Sequence, residues 1–410
     1  MPPFKKTLSS FCVLLSSVVF LNFAAAQQAE PLPTVVSRIQ QHVRVGKESV
    51  GTVETGEILN PQQEEQGYYL VASRDGKVGW ISKSNTVPLG DSAAIFSEMI
   101  RRNPRNGEAY VFRATAYWAA GEGEKAIADY TRAIQVGHDR WTVYEGRGMF
   151  YAMMGQYDKA IADYDQALRR GAKGTSIYAN RAAAYVGLER FDLAIKDFTE
   201  VIRQDPKKAS AYHQRAITYK NHGELDKAIA DFDKAISLDP KNVPALNGRG
   251  FVYYLKGEHK KAVDEFSQVI KLNGESSLVY NNRGYNYQML GEYKKALEDF
   301  NQAIKLAPRY AWAFQNKAWL LAGADDAKIR NGAAALKAAK TACELRDYKD
   351  FSDLKALAAA HAEASNFAEA VNWQQKAVNL AADDQKPFER ELLEKYKAKE
   401  PFRLASLPRK

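Results

Sequence analysis

The strongest constraint on this chain is a period of 34 residues. Ala114, Gly148, Ala182, Ala216, Gly250, Gly284 and Ala318 stand at that spacing. Four residues before them stand Tyr110, Tyr144, Tyr178, Tyr212, Leu246, Tyr280 and Phe314. Three residues after them stand Tyr117, Tyr151, Tyr185, Tyr219, Tyr253, Tyr287 and Leu321. Steps of four and three put these residues on one face of a helix, and the small residue lets a second helix come close. A second helical pattern follows: Ala126, Tyr130 and Ala133 return as Ala160, Tyr164 and Ala167, as Ala228, Phe232 and Ala235, and as Ala296, Phe300 and Ala303. Gly121, Gly155, Gly223, Gly257 or Gly291 lies between the two helices and suits a left-handed cap. Pro206, Pro240 and Pro308 stop the second helix. One such helix pair cannot bury its own apolar face, so the units must stack.

Tyr or Trp, a small residue, Tyr, Ala, Phe or Tyr, Ala and Pro recur here in an order that resembles the tetratricopeptide repeat family. The resemblance runs from about Asp91 to Leu380. It implies a mainly α fold, a right-handed solenoid of helical hairpins, that is not an enzyme and holds a protein or peptide partner in its concave groove. Phe96 and Pro104 fall in phase, so Ala93–Arg102 is expected to be an orphan second helix. Extra residues around Asp325 to Asn331 precede a second helix at Gly332–Leu345. A last unit spans Asp353 to Leu380, and Pro387 to Lys399 is expected to form a solvated capping helix with Leu392, Leu393 and Tyr396 as its apolar stripe.

The repeat accounts for thirteen of the 22 tyrosines as core residues, so tyrosine richness carries no functional message. Positions beside the core face vary between units and point to the inner surface. They include Trp118, Met149, Asn180, His213, Gln214 and Asn247. Further along come Phe251, Asn281, Asn282, Tyr285, Asn316 and Trp319. Amides can bond an extended peptide backbone, and aromatic rings can hold its side chains. The competing expectation is that several of these aromatics only pack between neighbouring units. Family members that grip a terminal carboxylate use Lys at set positions, and Lys is missing from the corresponding sites here.

One charged pattern repeats with the core. Arg113, Arg147, Arg181, Arg215, Arg249 and Arg283 hold one position, with Lys317 after them. Asp129, Asp163, Asp197, Asp231, Glu265 and Asp299 each stand sixteen residues on. The spacing predicts an Arg–carboxylate bond between the two helices of each unit, a brace in preference to a ligand site.

The N-terminal part has a different texture. Lys5 and Lys6, the apolar run Leu8 to Phe23, and Ala24-Ala25-Ala26 form the pattern of a secretory signal, with Gln27 as the expected mature start. Cleavage would take the formal charge from +9 to +7 and leave Cys343 as the single thiol, so no internal disulfide is expected. The β-branched and aromatic runs His42–Val45, Ser49–Val53, Gly67–Ser73 and Lys77–Ser82 predict short strands, with a tight turn at Arg74-Asp75-Gly76-Lys77. Gly51-Thr52-Val53, Gly56-Glu57 and Gly79-Trp80-Ile81-Ser82 resemble bacterial Src-homology-3-like modules. That resemblance implies a small β-barrel with a peptide or cell-wall ligand; the alternative is a spacer with Trp80 in its core.

The expected organisation is therefore a signal at 1–26, a linker at 27–34, the β-barrel at 35–90, a connecting helix at 91–104, an array of about eight repeats at 105–384 and a capping helix with basic tail at 385–410. No catalytic, metal or cofactor constellation is found. The His residues have no ligand spacing, and Gly121-Glu122-Gly123 coincides with a repeat turn, not a phosphate loop. The basic excess is mild and spread out, which does not point to nucleic acid. No stable membrane insertion is expected after signal cleavage. The leading expectation is an exported interaction scaffold, periplasmic or extracellular; the rival is a non-catalytic accessory or spacer in an envelope assembly.

Overall fold

The computed structural model describes residues 34–38, 40–45, 48–54, 56–72 and 77–406. The expected signal and most of the linker lie outside the described residues, as do Arg74, Asp75 and Gly76 of the expected turn. The chain divides into two compact units, one ending at Pro206 and the other beginning at Lys207.

The first unit opens with eight short strands: β1 (Val35–Ser37), β2 (Gln41–Val45), β3 (Glu48–Val53), β4 (Ile58–Leu59), β5 (Gln63–Glu65), β6 (Tyr68–Ala72), β7 (Val78–Ser82) and β8 (Thr86–Pro88). They form two antiparallel sheets, of order β4-β1-β8 and β3-β2-β7-β6-β5. Val35 and Leu59 of the smaller sheet share one core with Val43, Val53, Tyr69, Val71 and Ile81 of the larger. The period-2 alternation that buries Tyr69, Val71 and Ile81 turns Tyr68, Leu70 and Trp80 to the opposite face. Trp80 is only half-buried, so it is not the core residue of a spacer module. Four of the strands are three residues long or shorter, and these the runs of β-formers did not announce.

Among the described residues, seven α-helices complete this unit: α1 (Ala93–Arg102), α2 (Gly107–Ala119), α3 (Gly123–Gln135), α4 (Trp141–Met153), α5 (Tyr157–Arg169), α6 (Thr175–Gly187) and α7 (Phe191–Gln204). The orphan helix is present at its expected bounds and joins module to array. Val36, Ile58 and Val87 of the small sheet pack with Phe96 and Met99 of α1 and with Phe112 and Ala116 of α2.

The second unit is helical: α8 (Ala209–Asn221), α9 (Leu225–Leu238), α10 (Val243–Leu255), α11 (His259–Leu272), α12 (Ser277–Met289), α13 (Tyr293–Leu306), α14 (Ala311–Gly323), α15 (Gly332–Leu345), α16 (Phe351–Glu363), α17 (Phe367–Leu380) and α18 (Lys386–Lys397). From α2 onward, even-numbered helices are first helices of a pair and odd-numbered ones second helices, through α17. The small position sits against its pair's aromatic: a Cβ at Gly284 would lie 2.8 Å from the Phe300 ring. Gly155 and Gly223 make the turn between helices at φ +72° and +87°, where a side chain would be strained.

Every expected Arg–carboxylate brace forms. The guanidinium–carboxylate distances are 2.7 Å for Arg113–Asp129, Arg147–Asp163, Arg181–Asp197, Arg249–Glu265 and Arg283–Asp299, and 2.6 Å for Arg215–Asp231. Five are two-pronged; Arg249 meets Glu265 through one bond, leaving Arg249 Nε and Glu265 Oε2 buried without a partner. The third guanidinium nitrogen reaches sixteen residues back, to Ser97 from Arg113, to Thr131 from Arg147, to Asp165 from Arg181, to Asp233 from Arg249 and to Ser267 from Arg283. Each of these Arg residues thus ties three helices, and consecutive repeats are laced as well as the two helices of one repeat. Lys317 breaks the row: sixteen residues on stands Ala333, because the connection before α15 is longer. Its neighbour pair is held by Arg346, which bonds Asp353 and Asp350 and lies 4.0 Å over the Trp312 ring.

The α18 stripe of Leu392, Leu393 and Tyr396 is buried as expected, but the basic segment after it does not run free. Phe402 and Leu404 are buried, and they join the core around Leu320, Ala324 and Leu357.

Candidate functional site

The first helices of the second unit carry three parallel rows that the 34-residue period aligns. His213, Asn247, Asn281 and Gln315 hold the position two before the brace residue. Gln214, Gly248, Asn282 and Asn316 hold the next. Phe251, Tyr285 and Trp319 form an aromatic row two residues beyond the brace position. Helical geometry thus lays a polar strip beside an aromatic one, each residue on a successive helix.

Five of the expected groove residues meet around one cleft. Phe251, Asn281, Asn282, Tyr285 and Asn316 line a cavity of about 50 Å³, together with Tyr254, Phe266 and Asn286. Asn316 donates to Asn281 Oδ1 at 2.9 Å, and Asn286 donates to the Asn282 carbonyl at 2.8 Å. His259 Nδ1 sits 2.9 Å from Asn286 Oδ1. Tyr254 stands edge-on to Tyr285, with ring centroids 5.5 Å apart, and Lys220 places its ammonium 5.4 Å from the Phe251 ring centre. Burial raises the Tyr285 phenol above its ordinary value, so it stays a neutral donor.

Two polar groups on the adjoining row are unspent. His213 Nδ1 and Asn247 Oδ1 are buried without a hydrogen-bond partner. His213 is pushed down to about 4 by burial, with Lys220 adding to the effect, so its imidazole is neutral at ordinary pH. Buried polar atoms without partners are few in folded proteins, and these two stand at one repeat position on successive first helices.

Other expected residues are not gathered into this cleft. Trp118 stacks on Phe150 at 4.6 Å, the between-unit packing that competed with a binding role. Met149 is exposed on α4, with Met153 and Met154 near it, and Asn180 is half-buried on α6; all belong to the first unit. Gln214 is half-buried on α8. Trp319 is covered: the Phe402 ring stacks on it at 4.1 Å. Tyr254 and Asn286 were missed by sequence reasoning, although each stands four residues or fewer beyond a residue that was named. Phe266 was missed because it is a core residue of the second helix that closes the cleft floor.

Among the described residues, no group of three or more His, Cys, Asp or Glu could hold a metal ion, and no helix is long and apolar enough to cross a membrane. Cys343 is buried on α15, and burial pushes its thiol up to about 12. It is a packed apolar residue, not a thiolate nucleophile. On the β module, Tyr68, Leu70 and Trp80 share the outer face of β6 and β7 with Arg44 of β2.

Paired helices at a fixed period, laced by a repeating charge pair, define an α-solenoid repeat protein. Two family models described as tetratricopeptide repeat match the chain, one at residues 209–242 and 277–310, the other at 89–142 and 147–209. Over those residues the chain is similar to tetratricopeptide repeats, a class whose members are protein-interaction scaffolds and typically non-catalytic. No curated protein matches it. Similar solved structures include YrrB, a tetratricopeptide protein with an unusual peptide-binding site, at 24% identity over 46% of this chain and 96% of its own, with a TM-score of 0.40. A tetratricopeptide repeat protein from Parabacteroides merdae ATCC 43184 is 18% identical over 71% of this chain and 98% of its own, with a TM-score of 0.47. MamA is 25% identical over 41% of this chain and 95% of its own, with a TM-score of 0.38.

Proposed function

We propose that this is an exported scaffold that holds an extended segment of a partner protein along the inner face of α8, α10, α12 and α14. The carrying observation is the cleft of Phe251, Tyr254, Tyr285 and four asparagines, flanked by the unpartnered His213 Nδ1 and Asn247 Oδ1. YrrB binds a peptide, and the same use of a repeat array fits the rows seen here. The test is a peptide selected from a random library against the whole protein. Tyr285→Ala and Asn282→Ala should weaken it tenfold or more, about 1.4 kcal/mol. Lys305→Ala, on a second helix, should leave it unchanged. Equal affinity for all of these proteins would sink the proposal.

Export rests on the Lys5-Lys6, apolar and Ala24–Ala26 pattern. N-terminal sequencing of the protein purified from its native cell should read from Gln27; a chain that still begins at Met1 would remove this part of the reading. The outer face of Tyr68, Leu70, Trp80 and Arg44 supports the β module as a second contact, with a peptide or the cell wall, in keeping with its Src-homology-3-like motifs.

A further inference from the structure

We propose that the C-terminal segment Pro401–Ala405 is a built-in occupant of the inner face, which a partner segment of like chemistry (an aromatic residue followed by Arg and Leu) displaces. The proposal deepens the groove reading and rests on it for the claim that a foreign segment enters.

Phe251, Tyr285 and Trp319 hold one repeat position, and the first two line the open cleft. The third does not stand open. Phe402 lies on it with ring centroids 4.1 Å apart and planes 28° from parallel. The tail is therefore in line with the cleft. Asn316, Trp319 and Gly323 are spaced three and four along α14 and share one face. Asn316 looks into the cleft, while Trp319 and Gly323 meet the tail.

The seat for the tail is built. A Cβ at Gly323 would lie 2.5 Å from the Phe402 ring and 3.5 Å from Leu404 Cγ, so only glycine leaves room. Arg403 Nη1 donates to Glu363 Oε2 at 2.8 Å and to the Ala322 carbonyl at 3.4 Å. The Ala405 amide donates to Asp325 Oδ1 at 2.9 Å. Lys399, at φ +64°, turns the chain off the end of α18 so that it can run back.

The attachment is also discrete. The tail has no strand pairing, and its regular structure is one turn at Leu404–Ser406. Two apolar side chains, an ion pair and the hydrogen bonds of Arg403 and the Ala405 amide hold it, which are contacts that an extended peptide in trans could reproduce. An aromatic side chain, a guanidinium and a leucine are thus what this end of the face accepts. The neighbouring Tyr285 and Phe251 continue the same row.

The probe is a labelled peptide with the sequence of Lys399 to Ser406, titrated against the full chain by fluorescence anisotropy. The F402A/R403A protein, with its own tail loosened and the seat intact, should bind it at least tenfold tighter than the unaltered chain. Adding Gly323→Ala should abolish that binding, because the new methyl group fills the ring's seat. Equal binding by the altered and unaltered chains, binding that survives Gly323→Ala, or no binding by a folded F402A/R403A protein would each overturn the proposal. If F402A/R403A does not fold, hydrogen exchange on the unaltered protein decides. Saturating peptide should speed exchange at the Ala405 amide, and an unchanged rate would overturn the proposal. Should the tail peptide behave as expected while library peptides ignore Tyr285 and Asn282, the tail inference stands and the wider groove reading falls.

Discussion

At the braces of Arg113, Arg147, Arg181, Arg215 and Arg283 a guanidinium is held between two tyrosine rings and a carboxylate. Arg283 lies 5.6 Å from the Tyr280 and Tyr287 ring centres and 2.7 Å from Asp299. The Asp299 hydrogen bond holds the guanidinium above its ordinary value, so the charge is permanent. Because Asp299 is buried, losing its partner costs more than the pair itself contributes. Arg283→Ala should destabilise the fold by about 3 kcal/mol, and the double change of Arg283 and Asp299 to Leu by less than that single change. Urea unfolding of the cycle checks this; a double change that cost the sum of both singles would show that the two side chains act independently. His213 makes a second prediction. Its folded pKa of about 4 lies below the ordinary 6.5, so between these values the unfolded chain binds a proton that the folded one does not. Its contribution is full above pH 6.5 and is lost as pH falls through 6.5 toward 4. His213→Leu should therefore reduce the stability difference between pH 7 and pH 4 by about 3 kcal/mol, read from denaturant melts at both pH values. The braces were legible in the sequence, because a charge pair that recurs at a constant offset must recur in space. The unpartnered state of His213 Nδ1 was not, since it depends on what the neighbouring helices place around it.

Helix ends show where the repeat tolerates exceptions. Glu189 occupies the turn position that Gly155 and Gly223 hold in other units, and it does so at φ +56°. Only glycine enters that region without cost, so Glu189→Gly should stabilise the protein by about 0.5–1 kcal/mol despite the greater freedom of glycine when unfolded. A lower melting temperature would contradict this. Asn331 begins α15 by accepting from the Ala334 amide at 2.9 Å. Its replacement by Ala should cost about 1 kcal/mol in the same assay. The long helices matched the periodicity closely: α1 and α15 have the bounds that spacing predicted. The short strands β1, β4, β5 and β8 had no such signal, because two or three residues complete no alternation and are held by pairing with distant strands.

Over the whole molecule, stability in a stacked array comes from neighbours, so terminal units depend on a cap. Leu392, Leu393 and Tyr396 of α18 supply it in the second unit. Leu392→Ala should cost about 2–4 kcal/mol, localised to the end of the array. Hydrogen exchange should show lost protection from α14 to α18 and unchanged protection from α2 to α7. A uniform loss would show that the array unfolds as one cooperative block. The sequence alone determined the helix pairs, their period, their aromatic–small core and the brace inside each repeat. These are near neighbours in the chain, and the period states each relation several times over. Tertiary structure decided which inner residues form a cleft, that Arg113, Arg147, Arg181, Arg249 and Arg283 also reach back to the preceding second helix, and that Phe402 covers Trp319. The last contact joins residues with no shared period and no local pattern. It exists because α18 ends in a turn that sends the chain back along α14, where Gly323 leaves a ring-sized space.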